Sequence, residues 1–233
     1  MILQRLATSI RKQDWFTVVI ETLIVVFGVY LGIQLGNWNA AQNAKAEEAR
    51  IIERLTIDFQ AQEALVLHYI EMAEYMIADL DELATLLEVA DPPEDEAHVR
   101  RMIVNIFGVS TKTPPPPSFE ELVASGGLAQ LSDIALREAL TKYGQTSSLW
   151  IYVENRSVAL KQPDSPLVLA LNYKPGSLGS GEEADNLVYD WEKLREARSA
   201  LLLVLINLGQ ALDRHQKDLA AVRNVMDALE AAQ

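Results

Sequence analysis

From Phe16 to Gly36 the chain reads FTVVIETLIVVFGVYLGIQLG, twenty-one residues in which Glu21 is the one formal charge. As a helix this stretch is about 31 Å long at 1.5 Å per residue, the thickness of a hydrocarbon core. Trp15 and Trp38 bracket it about 34 Å apart, the spacing of two headgroup layers where amphipathic indoles settle, and Asn37 and Asn39 continue the polar edge. A membrane helix over residues 15–38 is therefore expected, with membrane lipid as its first partner and Trp15 and Trp38 as interface anchors. The competing reading is a cleaved signal peptide with Ala44-Lys45-Ala46 as the processing site. The long basic segment before the apolar run, and a run well beyond the usual signal length, favour a retained anchor.

Charge then sets the topology. Arg5, Arg11 and Lys12 precede the apolar run, while the first charge after it is Lys45. The positive-inside rule thus predicts a cytoplasmic tail over 1–14 and an extracytoplasmic domain over 39–233, in a bacterial inner membrane with the domain in the periplasm. Of the net charge of −13, residues 1–38 hold about +1 and the remainder about −14. Phosphate backbones repel such a domain, and no basic stripe is present, so nucleic acid is excluded as a partner. The absence of cysteine removes disulfide, thiolate-metal and thiol-nucleophile chemistry.

Within the membrane segment Gly28, Gly32 and Gly36 recur every four residues, a double small-xxx-small pattern that lets two helix backbones approach closely. Glu21, seven residues before Gly28, lies near the same face. This face predicts packing against another membrane helix, of a second subunit or of a homo-oligomer. For Glu21 the alternative is a carboxylate that snorkels to the interface.

Beyond residue 46 an apolar series Ile52, Leu55, Phe59, Gln62, Val66, Tyr69, Ala73, Met76, Leu80, Leu83 and Leu87 advances by 3 and 4, the seam of a coiled coil or a long bundle helix over about 46–90. Asp91-Pro92-Pro93 is expected to end it. A second series, Leu187, Trp191, Leu194, Arg198, Leu201, Leu205, Leu208, Leu212, His215, Leu219, Val222, Met226 and Leu229, predicts a helix over about 186–232, made central by the apolar run Leu201–Ile206. Between them shorter helices are expected near 96–107, 118–125 and 132–161. Ser118 and Glu121 should form a capping box, Ser125-Gly126-Gly127 a helix stop and Ser132 a cap. The four prolines 114–117 read as a stiff spacer rather than a docking ligand, and residues 162–185 as a long loop. The fold class is all-α: one N-terminal transmembrane helix, then an extramembrane helical bundle built around two long heptad-patterned helices.

Two blocks resemble a family of uncharacterised bacterial single-pass membrane proteins. Ile20–Asn39, IETLIVVFGVYLGIQLGNWN, is similar to that family's membrane helix, with an early glutamate, spaced glycines, a late glutamine and Asn-Trp-Asn. Ser118–Gly144, SFEELVASGGLAQLSDIALREALTKYG, resembles its aromatic-x-Glu-Leu-x-x-Ser-Gly turn and following helix, departing from it by an extra glycine at Gly127 and by one tyrosine in place of two. The resemblance implies the single-pass topology and brings no activity.

No catalytic or cofactor site is expected. His68, His98 and His215 stand in separate segments without metal-ligand spacing. His98 sits in an acidic turn, and His215, with Arg198 further up the same seam, reads as a polar register residue. No GxSxG, P-loop or dinucleotide fingerprint occurs. The composition therefore points to a non-enzymatic accessory or assembly subunit. The alternatives are an extracytoplasmic sensor that signals through a partner and a channel formed by Glu21-bearing helices.

Overall fold

The structure, a computed structural model, describes residues 15–106, 112–148, 150, 162–173 and 186–232. The cytoplasmic tail predicted over 1–14 lies outside them, as does the distal part, 151–161, of the helix expected to reach residue 161. The protein is all-α, and the described residues include one pair of three-residue strands. It divides into two compact units, Met1–Arg50 and Ile51–Gln233.

Helix α1 spans Trp15–Leu86. Of the polar segment NAAQNAKAEEAR, the sequence leaves residues 39–45 unassigned, between the membrane helix and the helix expected over about 46–90. The segment is helical throughout, since Ala, Gln, Lys and Glu are strong helix formers without any apolar face. In the second unit, every expected seam position from Ile52 to Leu83 on α1, and Leu87 just past its end, is buried apart from Tyr69, which is half-buried. The helix stops at Leu86, several residues before the prolines. Its last carbonyls are taken by two arginines from the far end of the chain. Arg198 donates Nε–H to the Ala84 carbonyl at 3.2 Å and reaches Glu88 at 2.5 Å, and Arg195 donates to the Leu87 carbonyl at 3.3 Å. Cationic donors at a helix C-terminus satisfy orphan carbonyls and oppose the dipole, the role a terminal glycine often fills.

Helix α2, Glu96–Ile106, is capped by the Asp95 carboxylate, which accepts from the His98 amide at 3.0 Å. It buries Val99, Met102, Ile103 and Ile106, and Asn105 ties it to Asp79 of α1 at 2.7 Å. Helix α3, Pro117–Ala124, begins one residue before the expected capping box. Pro117 supplies a preset φ at the first helical position, so Ser118 falls inside the helix and its amide turns to Asp58 of α1 at 2.9 Å. Gly126 then adopts φ 70°, the left-handed stop foreseen for this turn. Gly127 opens a short 3₁₀ turn to Gln130, and a Cβ there would stand 2.7 Å from Leu122 Cδ1. Helix α4, Ile134–Ser148, is capped not by Ser132 but by Asp133, whose Oδ1 accepts the Leu136 amide at 2.8 Å.

The segment expected to be a plain loop holds a short helix α5, Pro166–Leu169, and strand β1, Leu171–Tyr173, antiparallel to β2, Leu187–Tyr189. Leu187, assigned by pattern to the last helix, thus belongs to a strand. That helix is also divided: α6 covers Trp191–Glu196 under an Asp190 cap, and α7 runs Arg198–Ala231. Helix α7 lies antiparallel to the second-unit part of α1, as contacts of Arg198 with Glu88, His215 with Tyr69 and Arg223 with Glu63 show in turn.

The buried line of α7 departs from the expected seam. Leu201, Leu208, His215, Val222 and Leu229 are buried as anticipated, but the alternate positions are Val204, Ala211, Asp218 and Val225. Leu205, Leu212, Leu219 and Met226 are only half-buried beside them. The small residues face inward because α7 packs along α4 as well as α1. Leu202, Leu203 and Ile206 point to solvent, so the apolar run 201–206 does not make α7 a fully enclosed helix.

Candidate functional site

In the first unit, all the sequence-selected residues stand on one helix. Glu21, Gly28, Gly32 and Gly36 are exposed and share a face of α1, and a Cβ placed on any of the three glycines meets nothing within 4 Å. Trp38 is exposed at the end of the apolar stretch; Trp15 lies on the first turn of the helix, where its side chain is outside the described part. Thirteen large apolar side chains between Val19 and Trp38 are exposed. At ~1.5 kcal/mol or more each, leaving them in water forgoes about 20 kcal/mol. That exceeds the usual net stability of a whole domain, ~5–15 kcal/mol. This helix is long and apolar enough to cross a membrane, and among the described residues none of its apolar window is buried.

In the second unit the core is divided. One apolar cluster gathers Met76–Leu87 residues of α1 with α2, Leu167, Leu187, Trp191 and the Leu201–Leu208 part of α7. The other joins Ile52, Leu55 and Phe59 of α1 to α3, α4 and the Ala221–Leu229 part of α7. Its centre is an aromatic triad. Tyr143 packs edge-on against Phe59 and Phe119 at 5.0 Å each, and Phe59 lies 6.4 Å from Phe119. Gly144 leaves room for Phe119, whose Cζ would be 3.2 Å from a Cβ there. The block Ser118–Gly144 is thus one folded unit whose first aromatic residue and last tyrosine meet. It docks on α1 through Asp58 and through an Arg54–Glu121 ion pair.

Between the two clusters lies a polar layer. His215 is fully buried, stacked on Tyr69 at 5.4 Å and tilted against Trp150 at 4.4 Å. Trp150 rests against Ala211 and donates its indole N–H to Asp218 Oδ2 at 2.6 Å. Neither ring nitrogen of His215 meets a hydrogen-bond partner among the described residues, and the same holds for Asp218 Oδ1 and Gln62 Nε2. Burial pushes the His215 imidazole down to about 4. Burial also raises the Asp218 carboxyl, opposed by the Trp150 hydrogen bond and by the charges of Arg214 and Lys112. The Tyr143 phenol is raised by burial first, then by the charges of Asp218 and Glu120.

The sequence singles out His215 and Tyr69 as seam positions of the two long helices but gives no sign of Trp150 and Asp218 beside them. Arg198, placed on the seam of His215, instead caps α1. His98 contacts Glu82 at 3.1 Å at the solvent-facing start of α2. Among the described residues no three His, Asp or Glu side chains gather as a metal-binding group. No family model, curated protein or solved structure matches this chain.

Proposed function

We propose that this protein is a membrane-anchored, non-enzymatic assembly subunit. Its N-terminal helix packs against helices of a larger membrane complex or of its own copies, and its helical domain sits in the periplasm of a bacterial cell. The observation that carries this reading is the uncovered face of α1. Glu21, Gly28, Gly32 and Gly36 share it, and among the described residues nothing lies within 4 Å of a Cβ placed on any of the glycines. Glycines at this spacing favour close helix approach within lipid, where the hydrophobic effect no longer drives association and contact distance decides. A carboxylate at Glu21 gains most from a partner that supplies a hydrogen-bond donor or a cation. The basic residues Arg5, Arg11 and Lys12 ahead of the helix support a cytoplasmic N-terminus. The sequence carries no catalytic or cofactor motif, which supports a role in assembly.

The test is the native mass of the particle solubilised in mild detergent, with its polypeptides identified. Other membrane subunits in fixed proportion, or a defined multiple of 25.9 kDa, is the expected result, and Gly32→Ile should dissociate it. A particle containing one copy and nothing else overturns the reading.

A further inference from the structure

The polar layer sits where the two apolar clusters of the second unit leave a gap. Along α1 it takes up Gln62, Val66, Tyr69 and Ala73, and along α7 Ala211, His215 and Asp218, none of which joins either large cluster. A neutral imidazole can be enclosed between Tyr69 and Trp150, because flat apolar faces suit it. An imidazolium there would present two N–H donors to those rings, and neither ring nitrogen has an acceptor among the described residues. We propose that this layer is an acid-sensitive joint: when His215 takes up a proton, α7 parts from α1 and from Trp150 at this level while the apolar clusters on either side stay closed.

The driving force is linkage. A conformation that hydrates His215 binds the proton near the ordinary histidine value of 6.5, whereas the closed layer holds it off until about 4. Acidification over that window therefore favours the open form, by up to about tenfold per pH unit. The titratable and charged groups around the layer, among the described residues, are Tyr69 of α1, Tyr143 of α4, Lys112 ahead of α3, and Arg214 and Asp218 of α7. Tyr143 is shifted upward and has no part in an acid response. Asp218 opposes His215. Its closed-state carboxyl is raised, so it takes a proton more readily when buried and favours the closed form as the pH falls through its own window. Opening driven by His215 starts below 6.5 and is blunted wherever Asp218 takes up its own proton. The joint stands whether or not α1 crosses a membrane.

Hydrogen exchange of the full chain in detergent, corrected for the intrinsic effect of pH, tests the joint. Between pH 7 and 5, peptides covering 62–73 and 211–218 should lose about tenfold in protection. Those covering 52–59, 80–87, 201–208 and 222–229 should hold theirs. His215→Phe should flatten the response and Asp218→Asn should steepen it. Unchanged protection of the layer, equal loss in every peptide, or the same loss in His215→Phe overturns the proposal. Should His215→Phe lack native helicity at pH 7, the ring of wild-type His215 is titrated by NMR instead. A midpoint below 5 supports the joint and one near 6.5 overturns it.

Discussion

At the scale of single residues, the chain spends its polar groups on joining distant segments. Arg198 shows this most directly, because one guanidinium serves a backbone carbonyl and a carboxylate at the end of a helix 110 residues earlier. Arg198→Ala should fray the last turn of α1 and cost about 1–2 kcal/mol, measured by urea unfolding. Trp150 makes the corresponding connection inside the domain. Trp150→Phe keeps most of the apolar contact and deletes the indole donor to Asp218, leaving that carboxylate with less to hold its charge. The expected cost is about 2 kcal/mol at neutral pH. Since the hydrogen bond from Trp150 opposes burial at Asp218, its removal should raise the carboxyl further, read from carboxyl chemical shifts against pH. The stability loss should then shrink as the pH falls, because a protonated Asp218 no longer needs the donor. A loss that stays constant across the titration would show that the bond matters only through packing.

At the scale of elements, α1 and α7 explain what was legible. The apolar residues of α1 from Ile52 to Leu87 recur by 3 and 4, and the structure buries that same line. On α7 the pattern pointed to Leu205, Leu212, Leu219 and Met226, whereas the inward positions are Val204, Ala211, Asp218 and Val225. Large apolar side chains dominate a periodicity reading. A helix that must fit between two neighbours, and against Trp150, turns its small residues inward. The polar layer was out of reach for the same reason: Trp150 and Asp218 are 68 residues apart, and no spacing rule connects them. Residues 39–45, unassigned between the two expected helices because they carry no apolar period, are helical as well, being mostly helix formers. Two substitutions test how this seam is held. Gln62 is buried with its amide nitrogen unpartnered among the described residues. Gln62→Leu should therefore stabilise the domain by about 1 kcal/mol. Phe59→Ala, which empties the centre of the aromatic triad, should cost about 3–5 kcal/mol. Urea midpoints of the two variants should move in opposite directions. A destabilised Gln62→Leu would mean that the amide has a partner worth more than its burial.

At the scale of the whole molecule, the two units differ in what surrounds their apolar residues. The second unit encloses its own: Leu55, Phe59, Leu80 and Leu83 are fully buried by neighbouring helices. The first unit leaves Leu23, Ile24, Val25 and Val26 exposed, four consecutive residues that point around the full circumference of one helix. A lipid environment would satisfy all of those faces at once, and a protein partner only some of them. The cysteine-free sequence gives a clean test of this assignment, because any thiol introduced is the sole site for a membrane-impermeant maleimide. Glu230→Cys, at an exposed position near the end of α7, should be labelled in intact spheroplasts. Thr8→Cys, in the basic segment ahead of the helix, should be labelled only after lysis. Both thiols reacting before lysis would mean that residues 16–36 do not cross the bilayer. The reverse pattern would keep the membrane helix but invert it, and the charge asymmetry set by Arg5, Arg11 and Lys12 would then have failed as a guide to orientation.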